Sequence, residues 1–264
     1  MKIGIIGAGN MASALAGGLI TAGVVSSEEL SISDINPVGL ERWKRLGVFS
    51  TQSNVEVISR SDIVILAVKP NVLPCVLEEI SAKIANKVLI SIAAGVKIGA
   101  MEKMLGSDAK IIRAMPNTPA QVNCGMTVIA PNKNISASEL DDAKTVLSGV
   151  GDVVVLEEKY INAATAIHGS SPAYIYMLID AMADCGVKYG IPKNISLQLA
   201  AKAVEGSAKM VLENNIHPQA LKDAVCSPGG TTIEAVLELE KTGFKSSVAQ
   251  AIDKCVKKAD EMSK

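Results

Sequence analysis

The sequence predicts an α/β protein with a doubly wound parallel sheet in its first part and helices alone in its second part. A strand runs into a glycine-rich turn at the start of the chain, apolar strands alternate with helices to about residue 160, and strand-like runs end before Ile161. Because 264 residues are enough for two ordinary domains, we expect one at residues 1–160 and a second at residues 161–264.

The first element joins a strand to a dinucleotide-binding motif. The run Lys2 to Ile6 is followed by GAGNMA at residues 7–12, in the pattern GxGxxA. Gly7 allows the tight turn, Gly9 lets the backbone approach a pyrophosphate, and Ala12 keeps helix and strand close. The positive end of the helix also favours phosphate. We predict cofactor contacts from Gly7, Ala8, Gly9, Asn10, Met11 and Ala12; the alternative is a glycine turn without a ligand.

The next elements alternate between strand and helix. Near-continuous runs of Val, Ile and Leu are typical of parallel strands that are covered on both faces, which predicts a Rossmann-type sheet. The strand-like runs are Ile3 to Ile6, Leu30 to Ile32, Ile63 to Val68, Val88 to Ile92, Ile111 to Met115 and Val153 to Leu156, and the clearest helical stretches between them are Met11 to Thr21 and Val72 to Ile84.

The second part consists of helical stretches separated by proline and glycine. Many of its residues are small or apolar, which favours self-association through this part of the chain. The predicted helices are Ala163 to Ile167, Ala173 to Tyr189, Ser196 to Glu213, Ala220 to Val225, Thr232 to Lys241 and Val248 to Met262.

Composition excludes several classes of protein. A formal net charge of -1, one Trp, four Tyr and two Phe argue against nucleic acid or an anionic membrane as a partner. We see no secretory signal and no apolar run of the roughly 18–20 residues that a membrane span needs, so we expect a cytoplasmic protein. The five cysteines form no CxxC pair and only two histidines are present, which predicts buried thiols and no metal site.

Asp34 follows the second predicted strand, about 20 residues beyond the glycine motif. A carboxylate at this place accepts hydrogen bonds from the adenosine ribose and would repel a 2′-phosphate. Asp34 therefore predicts a preference for NADH over NADPH. The alternative is a solvated turn residue.

Other strand ends belong to the same predicted crevice, because open α/β sheets bind ligands just outside the carboxyl ends of their strands. We predict cofactor contacts there from Ala67, Val68, Lys69, Pro70, Ala93, Ala94 and Gly95, although a lysine such as Lys69 is as often solvent-facing. A third strand end, Met115 to Pro119, is either a bare turn or the floor of the crevice near the nicotinamide.

The segment from Cys226 to Thr232 is the most unusual part of the helical half. Its two glycines and two threonines exceed what a helix cap needs, and they would place N–H donors and hydroxyls at a helix start, where a carboxylate binds. This favours a small anionic substrate. Because no Ser/His/Asp or Cys/His arrangement is evident, reduction of an imine fits better than reduction of a carbonyl, which needs a proton donor.

Together these residues resemble the pyrroline-5-carboxylate reductase family over essentially the whole chain. The resemblance rests on GAGNMA at 7–12, AVKP at 67–70, SIAAGV at 91–96, RAMPNTPA at 113–120, GSSPAY at 169–174 and LKDAVCSPGGTTIEAV at 221–236. It implies NAD(P)H-dependent reduction of 1-pyrroline-5-carboxylate to L-proline, the last step of proline biosynthesis. It also implies that the helical half is a dimerisation domain, that the protein is a homodimer, and that it assembles into a decamer as many members do.

The resemblance also implies roles for single residues. Thr232 looks like the catalytic threonine whose hydroxyl holds the ring nitrogen, and Ser227, Gly230 and Thr231 look like the loop that binds the substrate carboxylate. Asn54 looks like the family asparagine near the adenosine. In the family, the substrate loop meets the cofactor across the dimer interface.

Two positions depart from the family pattern. Asp34 stands where many members have Ser, Asn or Arg arrangements suited to NADPH. His168 stands where relatives commonly have a small or hydroxyl residue, and it is either a core or interface histidine or a proton-transfer residue.

Two other functions stay open at this point. A β-hydroxyacid dehydrogenase or related imine reductase shares the glycine motif, but it places a lysine four residues after a glycine-rich turn, and no lysine follows Gly169 until Lys188. A non-catalytic redox sensor would bind the dinucleotide but would not need the carboxylate loop at 227–232.

Overall fold

The computed structural model describes residues 1–263, and their contacts divide into two compact units. Unit 1 contains Met1–Ser170 and the segment from Cys255 onward, and unit 2 contains Ser171–Lys254. The predicted domains at 1–160 and 161–264 are distinguished by their expected functions, whereas the two units are distinguished by their contacts. The predicted domain boundary therefore stays a prediction.

Unit 1 is built on an eight-stranded sheet. Its strands are β1 (Ile3–Ile6), β2 (Leu30–Ser33), β3 (Phe49–Thr51), β4 (Ile63–Leu66), β5 (Val88–Ser91), β6 (Lys110–Met115), β7 (Gly125–Pro131) and β8 (Gly151–Val155). The order is β3-β2-β1-β4-β5-β6-β7-β8, and all neighbours are parallel except β6 and β7. This confirms the predicted parallel-dominated sheet.

Helices follow most strands of unit 1. They are α1 (Asn10–Thr21), α2 (Pro37–Arg45), α3 (Asn54–Arg60), α4 (Leu73–Ile80), α5 (Ile98–Leu105), α6 (Ala137–Ser148) and the single turn α7 (Ile161–Ala164), which continues into a π-helical turn at Thr165–Gly169. The sequence prediction missed β3 and β7. β3 has only three residues, all half-buried, and β7 begins with glycine and ends with proline.

The core of unit 1 lies on both faces of the sheet. Ile63 and Ile65 belong to one apolar cluster, which includes Trp43, while Val64 and Leu66 belong to the other. The alternation follows from strand geometry, because successive side chains point to opposite faces. Both faces are therefore covered, as a doubly wound fold requires.

Unit 2 consists of helices. They are α8 (Ser171–Lys188), α9 (Lys193–Asn214), α10 (Pro218–Val225), α11 (Thr231–Lys241) and the first part of α12 (Phe244–Met262), whose end belongs to unit 1. The predicted helical second part is confirmed. Helices α8 and α9 pack closely because Gly186 has no side chain; a Cβ there would lie 2.9 Å from Cβ of Ser196.

The prediction of buried cysteines is wrong. Cys75, Cys124 and Cys185 are exposed, and Cys226 and Cys255 are half-buried, all with free thiols. In α4, for example, the buried stripe is formed by Leu73, Val76, Leu77 and Ile80, so Cys75 lies outside it. Within residues 1–263, no helix has the length and apolar character to cross a membrane.

Candidate active site

The glycine motif forms the turn between β1 and α1. Gly7 has φ +103°, and a Cβ on it would lie 2.6 Å from the carbonyl oxygen of Ala67 at the end of β4. Its N–H donates to the carbonyl of Ser33 at 2.7 Å. Glycine is required here because the turn passes between the ends of two strands in a conformation that other residues rarely adopt.

Gly9 is a glycine for a different reason. Its φ is −71°, which any residue adopts, and a Cβ built on it would meet no atom within 4 Å. Gly9 is the N-cap of α1, and no side chain caps this helix start, whereas Ser136 and Glu139 form a capping box at α6. Open space beside uncapped N–H groups fits a pyrophosphate, which explains the missing side chain.

Asp34 lies at the end of β2, directly beside this turn. Its Oδ2 accepts the N–H of Ala8 at 2.6 Å, and its Oδ1 accepts the N–H of Asn36 at 2.8 Å. Two backbone donors therefore fix the carboxylate in place. Residues 35–41 contain no lysine or arginine that would neutralise it or bind a phosphate.

Asn54, at the start of α3, is oriented by two polar side chains. The hydroxyl of Ser33 donates to Oδ1 of Asn54 at 2.7 Å, and Nδ2 of Asn54 donates to Oε2 of Glu79 at 2.7 Å. Sequence reasoning identified Asn54 but missed Ser33 and Glu79. No local pattern could reveal them, because these residues lie 21 and 25 positions away from Asn54 in the chain.

In the sheet, the end of β4 lies between the end of β1 and the end of β5. At the end of β4, the carbonyl of Lys69 accepts the N–H of Val72 at 2.9 Å and so begins the next helix. The ammonium of Lys69 is exposed and makes no hydrogen bond or ion pair with the residues described. The predicted contact of Lys69 with a cofactor stays a prediction, and the alternative that Lys69 only faces solvent stays open.

After β5, the turn at Ala93, Ala94 and Gly95 is packed by the end of the chain. Gly95 has φ +79°, and a Cβ on it would lie 3.1 Å from the carbonyl oxygen of Met262 in α12. Sequence reasoning gave no signal for this contact. It places the last turn of α12 against the predicted nicotinamide contacts.

A buried arginine in β6, the strand beside β5, holds the elements around it in place. Arg113 of β6 is 4% exposed, and its guanidinium pairs with Oε1 of Glu158 at 3.2 Å and with Oδ1 of Asn162 at 3.2 Å. The same Glu158 oxygen accepts the N–H of Ile98 at 2.7 Å, at the start of α5. A buried charge needs such partners, and this network fixes the helix that follows the Gly95 turn.

The strand-end turn at Met115–Pro119 uses its asparagine internally. Asn117 is 8% exposed, its Nδ2 donates to the carbonyl of His168 at 3.0 Å, and its Oδ1 accepts the N–H of Met126 at 2.9 Å. Both ends of the Asn117 amide are therefore bound within unit 1. Thr118 is the exposed polar residue of this turn.

In unit 2, the predicted substrate loop is a tight turn that leads into α11. The N–H of Gly230 donates to the carbonyl of Ser227 at 3.0 Å, Gly229 has φ +68°, and a Cβ on Gly230 would overlap Oγ of Ser227. No side chain caps α11. Within residues 1–263, the hydroxyls of Ser227, Thr231 and Thr232 make no hydrogen bond, so they and the helix N–H groups are available to a carboxylate.

These features define a class of protein. An uncapped helix start behind a glycine turn, a carboxylate at the end of β2 and several strand ends beside it are typical of a dinucleotide site, and a second uncapped helix start has N–H donors that suit an anion. The fold and the two sites are those of a dinucleotide-dependent oxidoreductase.

Comparison with known proteins identifies the family. Residues 158–262 match the family described as pyrroline-5-carboxylate reductase dimerisation, and residues 2–95 match the family described as NADP oxidoreductase coenzyme F420-dependent. Pyrroline-5-carboxylate reductase of Escherichia coli (strain K12) is 44% identical to this chain and aligns with 100% of this chain and 98% of its own.

Solved structures agree with this assignment. Pyrroline carboxylate reductase of Plasmodium falciparum, solved with NADP bound, is 35% identical with a TM-score of 0.90, and the enzyme of Coxiella burnetii is 33% identical with a TM-score of 0.95. Each alignment covers 100% of this chain and 98% of the other. This chain belongs to the pyrroline-5-carboxylate reductase family, whose members are NAD(P)H-dependent oxidoreductases, which confirms the resemblance found in the sequence.

Proposed function

We propose that this protein reduces the C=N bond of 1-pyrroline-5-carboxylate to give L-proline, with NAD(P)H as the source of hydride. The observation that carries this proposal is the full-length relationship to the Escherichia coli reductase, at 44% identity. Both glycine turns that precede an uncapped helix start are intact in this chain. A non-catalytic sensor would not need the second one.

The cofactor residues act through backbone groups and one carboxylate. The N–H groups of Asn10 and Met11 in the first turn of α1 bind the pyrophosphate, and the open space at Gly9 lets it approach. Asp34 accepts hydrogen bonds from the adenosine ribose, and Asn54 lies near the adenosine. Ala67 to Pro70 and Ala93 to Gly95 line the nicotinamide half.

The substrate residues orient the imine. The N–H groups at the start of α11, with the hydroxyls of Ser227 and Thr231 and the backbone of Gly230, bind the substrate carboxylate. Thr232 is the catalytic residue, since its hydroxyl forms a hydrogen bond with the ring nitrogen. The substrate would arrive as the iminium, which already carries the proton on its nitrogen, and a bound reduced nicotinamide would supply the hydride to the ring carbon, so that the nitrogen ends as a neutral amine. Orientation and fixed donors account for the rate enhancement that the chain provides.

The assembly is part of the proposal. Unit 2 buries few apolar side chains, and residues 158–262 match a dimerisation family, which supports a homo-oligomer. We propose a homodimer in which the loop at 227–232 of one protomer completes the cofactor site of its partner, and a decamer that is built from five such dimers. The domain roles of residues 1–160 and 161–264 and a cytoplasmic location remain part of the same hypothesis.

Thr232 provides the decisive experiment. Thr232→Val keeps the shape of the side chain and removes the hydroxyl, while Thr232→Ser keeps the hydroxyl and serves as the matched control. We expect kcat for 1-pyrroline-5-carboxylate to fall by about a hundredfold in the Val variant, of the order found when one donor is removed from a catalytic site. Activity should stay within a few fold of wild type in the Ser variant. Absence of turnover by the wild type with either cofactor would reject the proposed reaction.

We further propose that NADH is preferred over NADPH, because Asp34 is fixed beside the glycine turn, where it would meet the adenosine ribose, and no lysine or arginine occurs in residues 35–41. The family relative from Plasmodium falciparum was solved with NADP, so preference has to be measured for this chain. Asp34→Ser should raise kcat/KM for NADPH relative to NADH by about tenfold or more. Asp34→Asn, which keeps the acceptor for one backbone N–H, separates the effect of charge from the effect of the turn. An unchanged cofactor ratio in both variants would remove Asp34 from the explanation.

A further inference from the structure

His168 lies in the π-helical turn Thr165–Gly169 of unit 1, and both of its ring nitrogens face backbone carbonyls. Nδ1 lies 2.7 Å from the carbonyl oxygen of Ala164, and Nε2 lies 2.9 Å from the carbonyl oxygen of Met115. The π-turn itself is closed by the N–H of Ser170, which donates to the carbonyl of Thr165 at 2.9 Å. Such turns are rare and occur frequently at functional sites.

The two contacts decide between the roles open to this histidine. A carbonyl oxygen only accepts hydrogen bonds, so a neutral ring donates to one of these two carbonyls and only the protonated ring donates to both at once. With both nitrogens directed at carbonyls, the ring has no free nitrogen with which to pass a proton to a substrate. The geometry therefore favours a holding role over proton transfer.

The contact made by Nε2 reaches a different element from the contact made by Nδ1. Ala164 is four residues before His168, so the Nδ1 contact lies within its own helical segment. Met115 is 53 residues away and ends β6, so the Nε2 contact joins the π-turn to the start of the Met115–Pro119 turn. A second bond joins the same two segments, from Nδ2 of Asn117 to the carbonyl of His168.

The Met115–Pro119 turn lies at the carboxyl end of β6. The predicted cofactor residues lie at the same end of the sheet. β6 is the neighbour of β5, whose end leads into the Ala93–Gly95 turn. The two segments are in contact, because a Cβ on Gly169 would lie 3.7 Å from Cε of Met115. A change of the His168 side chain therefore acts directly on the position of the β6 end.

We propose that His168 is a positioning residue whose Nε2 contact to the carbonyl of Met115 holds the Met115–Pro119 turn in place for hydride transfer. The proposal rests on the proposed reductase function for its effect on catalysis, but the clamp itself is a property of unit 1 alone. It assigns a role to one of the two positions at which this chain departs from the pattern expected for its family.

Two amide variants separate the two ring nitrogens. The side-chain nitrogen of Gln reaches approximately the place of Nε2, whereas that of Asn reaches the place of Nδ1. His168→Gln should therefore keep the Met115 contact, and His168→Asn should lose it and keep the local one. We expect His168→Asn to lower kcat by about tenfold, with the Kd for NADH within about twofold of wild type, while His168→Gln stays near wild type.

A second measurement does not depend on turnover. In hydrogen exchange followed by mass spectrometry, backbone amides of residues 116–126 should exchange faster in His168→Asn than in wild type or in His168→Gln. Failure of the wild type to reduce the imine would reject the reductase function and leave the exchange test intact. Equal exchange in all three proteins, or a Gln variant that is slower than the Asn variant in turnover, would overturn the clamp. Should the Asn variant not fold, the Gln variant alone decides, since a fall in its kcat contradicts the proposal.

Discussion

The two units of this protein differ in how they bury apolar side chains. Unit 1 has apolar clusters on both faces of its sheet, with Trp43, Ile5 and Leu66 almost inaccessible to solvent. In unit 2, the buried apolar side chains among the described residues are Ala183 and Ala200. Large apolar residues of unit 2 such as Leu212 and Met177 are 75% and 73% exposed.

This difference separates two sources of stability. Unit 1 contains the core that holds its own elements, and most of the predicted cofactor residues lie at the ends of the strands of that core. In unit 2, the large apolar side chains that could form a core are exposed to solvent. Such an exposed apolar surface is typical of one that is covered by another copy of the chain. Helix formation in unit 2 is local, whereas its burial depends on assembly.

The largest expected effect comes from removing core volume in unit 1. Ile5→Ala, in the central strand β1, should lower the free energy of unfolding by about 2–5 kcal/mol, because the surrounding sheet cannot close around the cavity. The measurement is urea unfolding followed by the fluorescence of Trp43, the single tryptophan, which is buried in unit 1. The control is Leu212→Ala in unit 2, with an expected change below about 0.5 kcal/mol in dilute protein. Equal losses in the two variants would contradict the difference between the units.

The second prediction concerns assembly. A variant with Met177→Glu and Leu212→Glu should associate at least about tenfold more weakly, because charged side chains would have to lose their water at an apolar contact. Sedimentation velocity over a range of concentrations measures this. Leu46→Glu, at a residue of unit 1 that is 50% exposed, should leave association unchanged. An assembly that survives the double change would place the interface elsewhere.

The third prediction separates the two glycines of the cofactor turn. Gly9→Ala should weaken NADH binding by about tenfold without lowering the melting temperature, because the added methyl group meets only the space that the pyrophosphate needs. Gly7→Ala should lower the melting temperature as well, since the new Cβ would lie 2.6 Å from the carbonyl oxygen of Ala67 at a positive φ. Fluorescence titration and thermal unfolding test the pair. A Gly9→Ala variant that binds NADH as wild type does would show that the pyrophosphate lies elsewhere.

The smallest effect is expected from an ion pair on unit 1. Nζ of Lys110 lies 2.6 Å from Oε1 of Glu139, and this hydrogen bond, aided by the backbone N–H of Ser136, lowers the pKa of Glu139 from 4.5 to about 2. Because the folded pKa lies below the unfolded one, this stabilisation is present above pH 4.5 and is lost as the pH falls toward 2.

Lys110→Met should therefore cost about 1 kcal/mol at neutral pH, and the difference from wild type should shrink as the pH falls. Lys144→Met, at an exposed pair with Asp141 within α6, is the control and should cost less. Urea unfolding at several pH values tests both variants. A cost that does not depend on pH would assign the effect to packing of the lysine side chain.

The sequence predicted well wherever the signal was local. The period of the apolar runs gave most strands and helices, and the order of Gly7, Gly9 and Ala12 behind a strand gave the dinucleotide turn. Motifs in both halves gave the family. The sequence was a poor guide to burial. We expected buried cysteines, but Cys75, Cys124 and Cys185 are exposed. Burial depends on which face of a helix meets the core, and a single cysteine does not reveal that.

The roles of the predicted site residues stay predictions, but the structure shows which other residues hold them in place. Glu79 holds Asn54, Arg113 and Glu158 fix the start of α5, and Met262 packs on Gly95. None of these partners could be found from the sequence, because the residues involved are far apart in the chain and meet only when the sheet forms.

By itself, the sequence determined the alternating elements, the glycine turn at the end of β1 and the positions of the two helix starts, since each depends on residues close together in the chain. Only the tertiary structure decided that Asp34 is fixed by Ala8 and Asn36, and that His168 reaches the carbonyl of Met115. The reason is physical: hydrogen bonds across the fold depend on distances that are set by packing of the sheet and helices, and no local pattern of residues encodes those distances.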